Sequence, residues 1–225
     1  MTPYATNYAW TAFLVAVAIA LLWIAFRLVR KDREADDFAT PLPRIDDVTE
    51  LLGLATALTP RPYFTHHHGE QKDESGISAV VPWRTAKQRL ARLRVALPAG
   101  YVAYLTDPVF SRNYQSYETV ELVIAPGRDP FDIARRGRTD AVNHELATED
   151  IIARLRAIDE QFGIDPYLAD ADTVGFVLRR VPEDLPAFAQ RLYDFCPDIV
   201  DQGAGSLEAL AAGIGRTRDV ILWWA

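Results

Sequence analysis

Residues 101–125, YVAYLTDPVFSRNYQSYETVELVIA, decide the fold, because hydrophobic periodicity changes there. Ahead of this stretch apolar side chains recur every three to four positions. Within it they recur every second position, the spacing of a half-buried strand. Tyr101–Thr106 and Glu118–Ala125 therefore read as two strands joined across DPVFSRNYQSY, with Val120, Leu122 and Ile124 on one face.

Outward from this pair the chain alternates between element types. Upstream, residues 83–97, WRTAKQRLARLRVAL, predict a basic amphipathic helix with Trp83, Ala86, Leu90, Leu93 and Leu97 on one face. Its arginines could rest on anionic lipid or an acidic partner, or pair with the protein's own carboxylates, such as those near Asp198. A shorter helix is expected over Asp46–Leu58, capped by Asp46 or Asp47 and ended by Pro60. Residues 61–77 read as a polar loop. Its His66, His67, His68 and Glu70 lack metal-ligand spacing and read as solvated.

Downstream, a short helix is expected at Asp129–Arg135 and a polar loop over residues 137–147. Thr148 is read as the cap of a helix reaching Phe162, with Asp150–Arg154 and Arg156–Glu160 as four-apart ion pairs. A strand follows at residues 173–180, then a helix from about Glu183 that Pro197 ends. Ser206 caps a last helix, and Val220–Trp224 reads as a strand buried on both faces. The fold class is α+β, two layers, with helices on a mixed sheet.

The N-terminus has a different character. Residues 8–26, YAWTAFLVAVAIALLWIAF, are uncharged and long enough to cross a hydrocarbon core as one helix. Tyr4, Tyr8, Trp10 and Trp23 sit where interfacial aromatics belong. Arg27, Arg30, Lys31 and Arg33 follow at once, and no charge precedes. The expectation is a single-pass inner-membrane protein with the N-terminus outside and the C-terminal domain cytoplasmic. Ala12, Ala16 and Ala20, four apart, would permit a homodimer through the span.

Net charge is −7. Arg27 and Arg30 are the only charged side chains before position 31, so residues 31–225 hold 22 basic and 31 acidic groups, a net of −9. Such a domain repels nucleic acid as a whole. The single cysteine, Cys196, rules out an internal disulfide framework, and three nearby aspartates oppose a reactive thiolate.

The chemically richest stretch is DFCPDIVDQGAGS, residues 194–206. Asp198, Asp201 and Gln202, with Asp194 one turn earlier, could present carboxylates to a cation, act as an acid–base pair, or cap turns after Pro197. Asn143 and His144, with Asp140 and Glu145 beside them, are the candidates that could join them from the 137–147 loop. Gly203 and Gly205 complete neither nucleotide-binding pattern and read as turn residues. No motif implies a cofactor.

TEDIIARLRAID (148–159), PEDLPAFAQRLYDFCPDIVDQG (182–203) and LEALAAGIGRTRDVILWW (207–224), with Arg138, Thr139 and Asn143, carry a resemblance. They resemble the bacterial domain-of-unknown-function 4253 family over roughly residues 78–225, most strongly 137–225. The resemblance implies a similar C-terminal fold and no activity. Where that family would place an acidic residue after the Trp-Trp pair, this chain has Ala225.

The expected organisation is a membrane anchor at 1–30, an acidic linker at 31–47, a helix and polar loop at 48–77, and an α+β domain at 78–225. The expected role is a membrane-anchored cytoplasmic, non-catalytic module that binds a protein partner. The alternative is a metal-dependent hydrolase using Asp198 and Asp201 with His144.

Overall fold

A computed structural model of the chain describes residues 41–225, apart from 68–69 and 111–116. The apolar run 8–26, the Ala12, Ala16 and Ala20 face, most of the linker and His68 lie outside the described residues. Among the described residues no helix is long and apolar enough to cross a membrane.

The described chain opens with α1 (Val48–Thr56), which Asp47 caps by accepting from the Thr49 and Glu50 amides. Then come β1 (Arg61–His67), β2 (Glu70–Pro82), α2 (Trp83–Ala96), β3 (Tyr101–Phe110) and β4 (Tyr117–Pro126). Next are α3 (Asp132–Gly137), a 3₁₀ turn (Val142–His144), α4 (Thr148–Phe162), β5 (Ile164–Ala169) and β6 (Thr173–Leu178). Last come α5 (Leu185–Phe195), a π-helical turn (Ile199–Ala204), α6 (Leu207–Thr217) and β7 (Asp219–Trp223). All seven strands form one sheet in the order β1-β2-β4-β3-β5-β6-β7. Every neighbouring pair is antiparallel except β3 and β5, which run parallel with Leu105 opposite Leu168. The mixed sheet is therefore an α+β arrangement, as expected.

The layer count is corrected from two to three. On β3, Ala103 and Leu105 pack with α1 and α2, while Val102 and Tyr104 pack with Ile133 of α3 on the other side. On β6, Val174, Phe176 and Leu178 face the core built by α4, α5 and α6, while Val177 faces the α1–α2 side. The alternation on each central strand thus buries both faces.

Other expectations are also revised. Residues 61–77 are not a loop; they supply β1 and the first half of β2, paired from Arg61–Ser78 to His67–Glu70 with two register shifts. Their polar composition hides the strand period, and the pairing rests on backbone bonds that composition does not reveal. Gly76 marks one place where a side chain cannot fit, since a Cβ there would lie 2.1 Å from the Ile124 carbonyl oxygen. Residues 164–169, IDPYLA, are a strand that carries no clear alternation, because it is the central strand of the seam and is buried on nearly every position. Thr148 is the first helical residue and not the cap. The Asp150 carboxylate closes that end by accepting from the Ala147 amide, and Arg156 pairs with Asp129. β7 is an edge strand with Val220 and Leu222 buried and Ile221 and Trp223 half-buried, so it alternates.

The β3–β5 seam is held mainly from α2. The Arg94 guanidinium donates to the Ala103 carbonyl from Nε (3.0 Å) and Nη2 (2.8 Å), and to the Pro166 carbonyl from Nη2 (2.6 Å). Nη1 reaches Asp165 at 2.8 Å. Lys87 pairs with Asp219 of β7 and stands 3.8 Å from the Tyr167 ring centroid. Asp165 and Asp219 are thus carboxylates that meet this basic helix, while Asp198 is bonded to Gln202 and Ala225.

Candidate functional site

The residues singled out around position 198 do meet in space, and their geometry is that of a brace. α5 ends at Phe195, Cys196 follows as its cap, and Asp198 opens the π-helical turn. Asp198 Oδ1 accepts from Gln202 Nε2 at 2.8 Å. Its Oδ2 accepts from the Ala225 amide at 3.0 Å and lies 3.5 Å from His144 Nε2. Asn143 Nδ2 donates to the Ala225 carbonyl at 3.2 Å. The loop that carries Asn143 and His144 is closed locally by the bridge between Ala141 and Leu146, with Glu145 in the left-handed region. Burial alone would raise the Asp198 carboxyl; the Ala225 amide, Gln202 and His144 outweigh it and hold the group below the usual carboxylate range.

Asp201 is exposed and does not join them. Asp194 accepts from Gln190 on its own helix. Among the described residues no three His, Cys, Asp or Glu side chains converge closely enough to hold a metal ion. Asp198, Asp201 and His144 therefore do not make a three-ligand set. Asp140 has its amide on the Ala171 carbonyl at 2.9 Å.

The rest of the C-terminal run is packing. Cys196 Sγ donates to the Trp223 carbonyl at 2.9 Å, and burial pushes its thiol up to about 11. Trp224 Nε1 donates to the Phe195 carbonyl at 3.2 Å, and its ring tilts against Phe195. The Trp223 indole lies over Gly203, where a Cβ would come within 2.5 Å of the ring. Gly205, at φ 77°, takes the left-handed conformation that ends the π-helical turn.

A second group of residues escaped the sequence reading. β3 and β5 run parallel with Leu105 opposite Leu168, so Asp107 and Asp170 stand two residues further on, Asp107 within β3 and Asp170 just past the end of β5. Asp107 sits at a register shift between Thr106 and Val109 with φ 47°, a bulge that re-aims its side chain. Asp170 is fixed by its amide on the Thr173 carbonyl (2.9 Å) and by Ala171, whose amide donates to Asp170 Oδ1 at 2.7 Å. α3 presses on the same place. Thr139 Oγ1 donates to the Asp170 carbonyl at 2.6 Å, and a Cβ at Gly137 would meet Ala169 at 3.1 Å. Burial drives the Asp170 carboxyl upward; the Ala171 amide opposes this, Asp172 adds to it, and the Asp107 amide and side chain oppose it. Tyr63 and Tyr104 stand beside the pair, with the Tyr63 hydroxyl 3.1 Å from Thr106 Oγ1. The signal available in the sequence was Asp107-Pro108 inside an alternating run. Proline cannot donate to the ladder, and Asp tolerates the left-handed region.

Fold and site together define a three-layer α+β domain whose C-terminal end is tied down through one aspartate. Residues 121–225 match the family model "Domain of unknown function (DUF4253)". The match covers α3 to β7 and the Asp198 brace, and begins within β4. No curated protein and no solved structure matches the chain.

Proposed function

We propose that the chain is a membrane-anchored module whose α+β domain faces the cytoplasm and binds a protein partner without catalysis. The observation that carries this is the Asp198 carboxylate. Both of its oxygens are taken up by the Ala225 amide, Gln202 and His144, so the group most like a reaction centre is spent on holding the C-terminal strand. The exposed Asp201 beside it supplies an outward-facing carboxylate for a basic partner surface. The uncharged run 8–26 with its basic flank supports a single inner-membrane span, N-terminus outside, with Ala12, Ala16 and Ala20 as a possible dimer face. A metal-dependent hydrolase would need a third side-chain ligand beside Asp198 and His144, and no described His, Cys, Asp or Glu supplies one.

Two measurements test this reading. Because Cys196 is buried, a cysteine introduced at position 3 or 40 is the accessible thiol in intact cells. Labelling by a membrane-impermeant reagent at position 3 and not at position 40 is expected; the reverse pattern overturns the orientation. Crosslinking in membranes followed by mass spectrometry should recover one recurring partner with the full chain and lose it with Asp201→Lys, while the variant's Tm is unchanged. Recovery of the same proteins by residues 1–40 alone removes the binding role from the domain.

A further inference from the structure

Four buried side-chain oxygens on β1–β4 have no hydrogen-bond partner among the described residues: Thr65 Oγ1, Ser78 Oγ, Tyr104 OH and Glu121 Oε2. Register puts three of them on one face. Ser78, Val123 and Tyr104 form one cross-strand row over β2, β4 and β3, and Val80, Glu121 and Thr106 form the next. Arg61 is opposite Ser78 on β1, which places Tyr63 on this face as well. Folded interiors leave few buried polar groups unpaired, and a concentration of them calls for an unseen partner.

The Tyr104 hydroxyl is fully buried, and the charges of Asp107, Arg136, Asp170 and Glu121 all act on it. Register places Tyr104 one row from Glu121 on this face, and Asp107 and Asp170 lie beyond it toward the end of β5. The β3–β5 seam is also where the connections diverge: β3 leads to β4 on one side, and β5 leads to β6 on the other.

We infer that the face of β4 and β3 beside the end of β5 forms a binding site for a small organic cation, a primary amine or a guanidine, held by Tyr104, Glu121 and the Asp107–Asp170 pair. Glu121 Oε2 is an acceptor when ionised and the Tyr104 hydroxyl can accept as well, so a ligand with N–H donors fits both. Arg61 pairs with Glu121 Oε1 and leaves Oε2 to the ligand. Carboxylates face the site from three directions, Asp107 from β3, Glu121 from β4, and Asp170 with Asp172 from the β5–β6 turn, so an anion is rejected. Tyr63 from β1 lies beside them. Arg136 of α3 is a cation acting on Tyr104 there, and it favours a ligand of single charge over a polyamine.

Thermal unfolding of the full chain in detergent tests this, with n-butylamine and n-butylguanidine as probes and n-butanol as the uncharged control. At about ten times Kd an amine should raise Tm by about 3 °C or more, and n-butanol should not. Asp170→Asn should abolish the shift. Tyr104→Phe, which removes one oxygen from an otherwise filled position, should weaken amine binding about tenfold while raising Tm without ligand. A site filled only by water shows no shift with either probe. That result, an equal shift with n-butanol, or a shift retained in Tyr104→Phe overturns the assignment.

Discussion

Asp107 and Asp170 occupy matching positions on the only parallel pair of strands among the described residues, each two residues beyond the Leu105–Leu168 pairing. They belong to segments 63 positions apart, and the seam between β3 and β5 aligns them. The opposite signs of the Asp170 and Asp198 shifts separate what these two acidic positions do.

Asp198 is held below the usual carboxylate range, so it stabilises the fold above that range and the contribution is lost as pH falls through it. Asp198→Asn should cost about 1–2 kcal/mol near neutral pH. The difference from wild type should shrink in acid. Denaturant unfolding measured over that pH range checks both, and a constant difference would sink the assignment.

Asp170 is raised, so the sign reverses. Its protonated form suits the folded state, and stability is lost as pH climbs from the ordinary carboxylate range through the raised one. Asp170→Asn should gain on wild type across that window and hold a constant lead above it. Asp107 and Asp172 act on the group, so the titration belongs to the cluster and is read as one apparent transition.

Arg94 joins two strands whose direct ladder contact is short. Arg94→Ala should cost about 2–3 kcal/mol, from two carbonyls and Asp165 left without their donor. Arg94→Lys should recover little of it, because a single ammonium cannot reproduce the fork. Chemical denaturation of the two variants distinguishes this from a merely solvated basic face, for which both changes would be near neutral.

At Gly76 a methyl group would collide with backbone, not with a side chain that can turn aside. Gly76→Ala should destabilise by about 2–4 kcal/mol, and hydrogen exchange should rise first in β1 and β2. An unchanged Tm would show that the β2–β4 pairing tolerates displacement there.

Cys196 should stay unmodified by iodoacetamide in the folded protein near neutral pH and react once denatured. Its thiol is buried, pushed up to about 11, and bonded to the Trp223 carbonyl. Native-state alkylation at the rate of a free thiol would contradict this.

Much of this was legible in the sequence. The periods of α1, α2 and α4, the alternation of β3, β4 and β6, and the Asp47 and Ser206 caps all rest on chemistry within a few residues, and the family resemblance read over 78–225 is matched over 121–225. So did the packing role of Cys196. What local pattern does not carry is which strands become neighbours. Residues 61–77 form a hairpin despite their polarity, and β2 continues from it into the ladder with β4 over Ile77–Pro82. IDPYLA shows no alternation because both of its faces are covered. Asn143 and His144 meet Asp198 through the end of β7, and Asp107 meets Asp170 through a parallel register. Sequence determined the elements, since a helix or strand period is set by the side chains it contains. Only the tertiary structure decided the sites, since each joins residues whose proximity depends on long-range strand order.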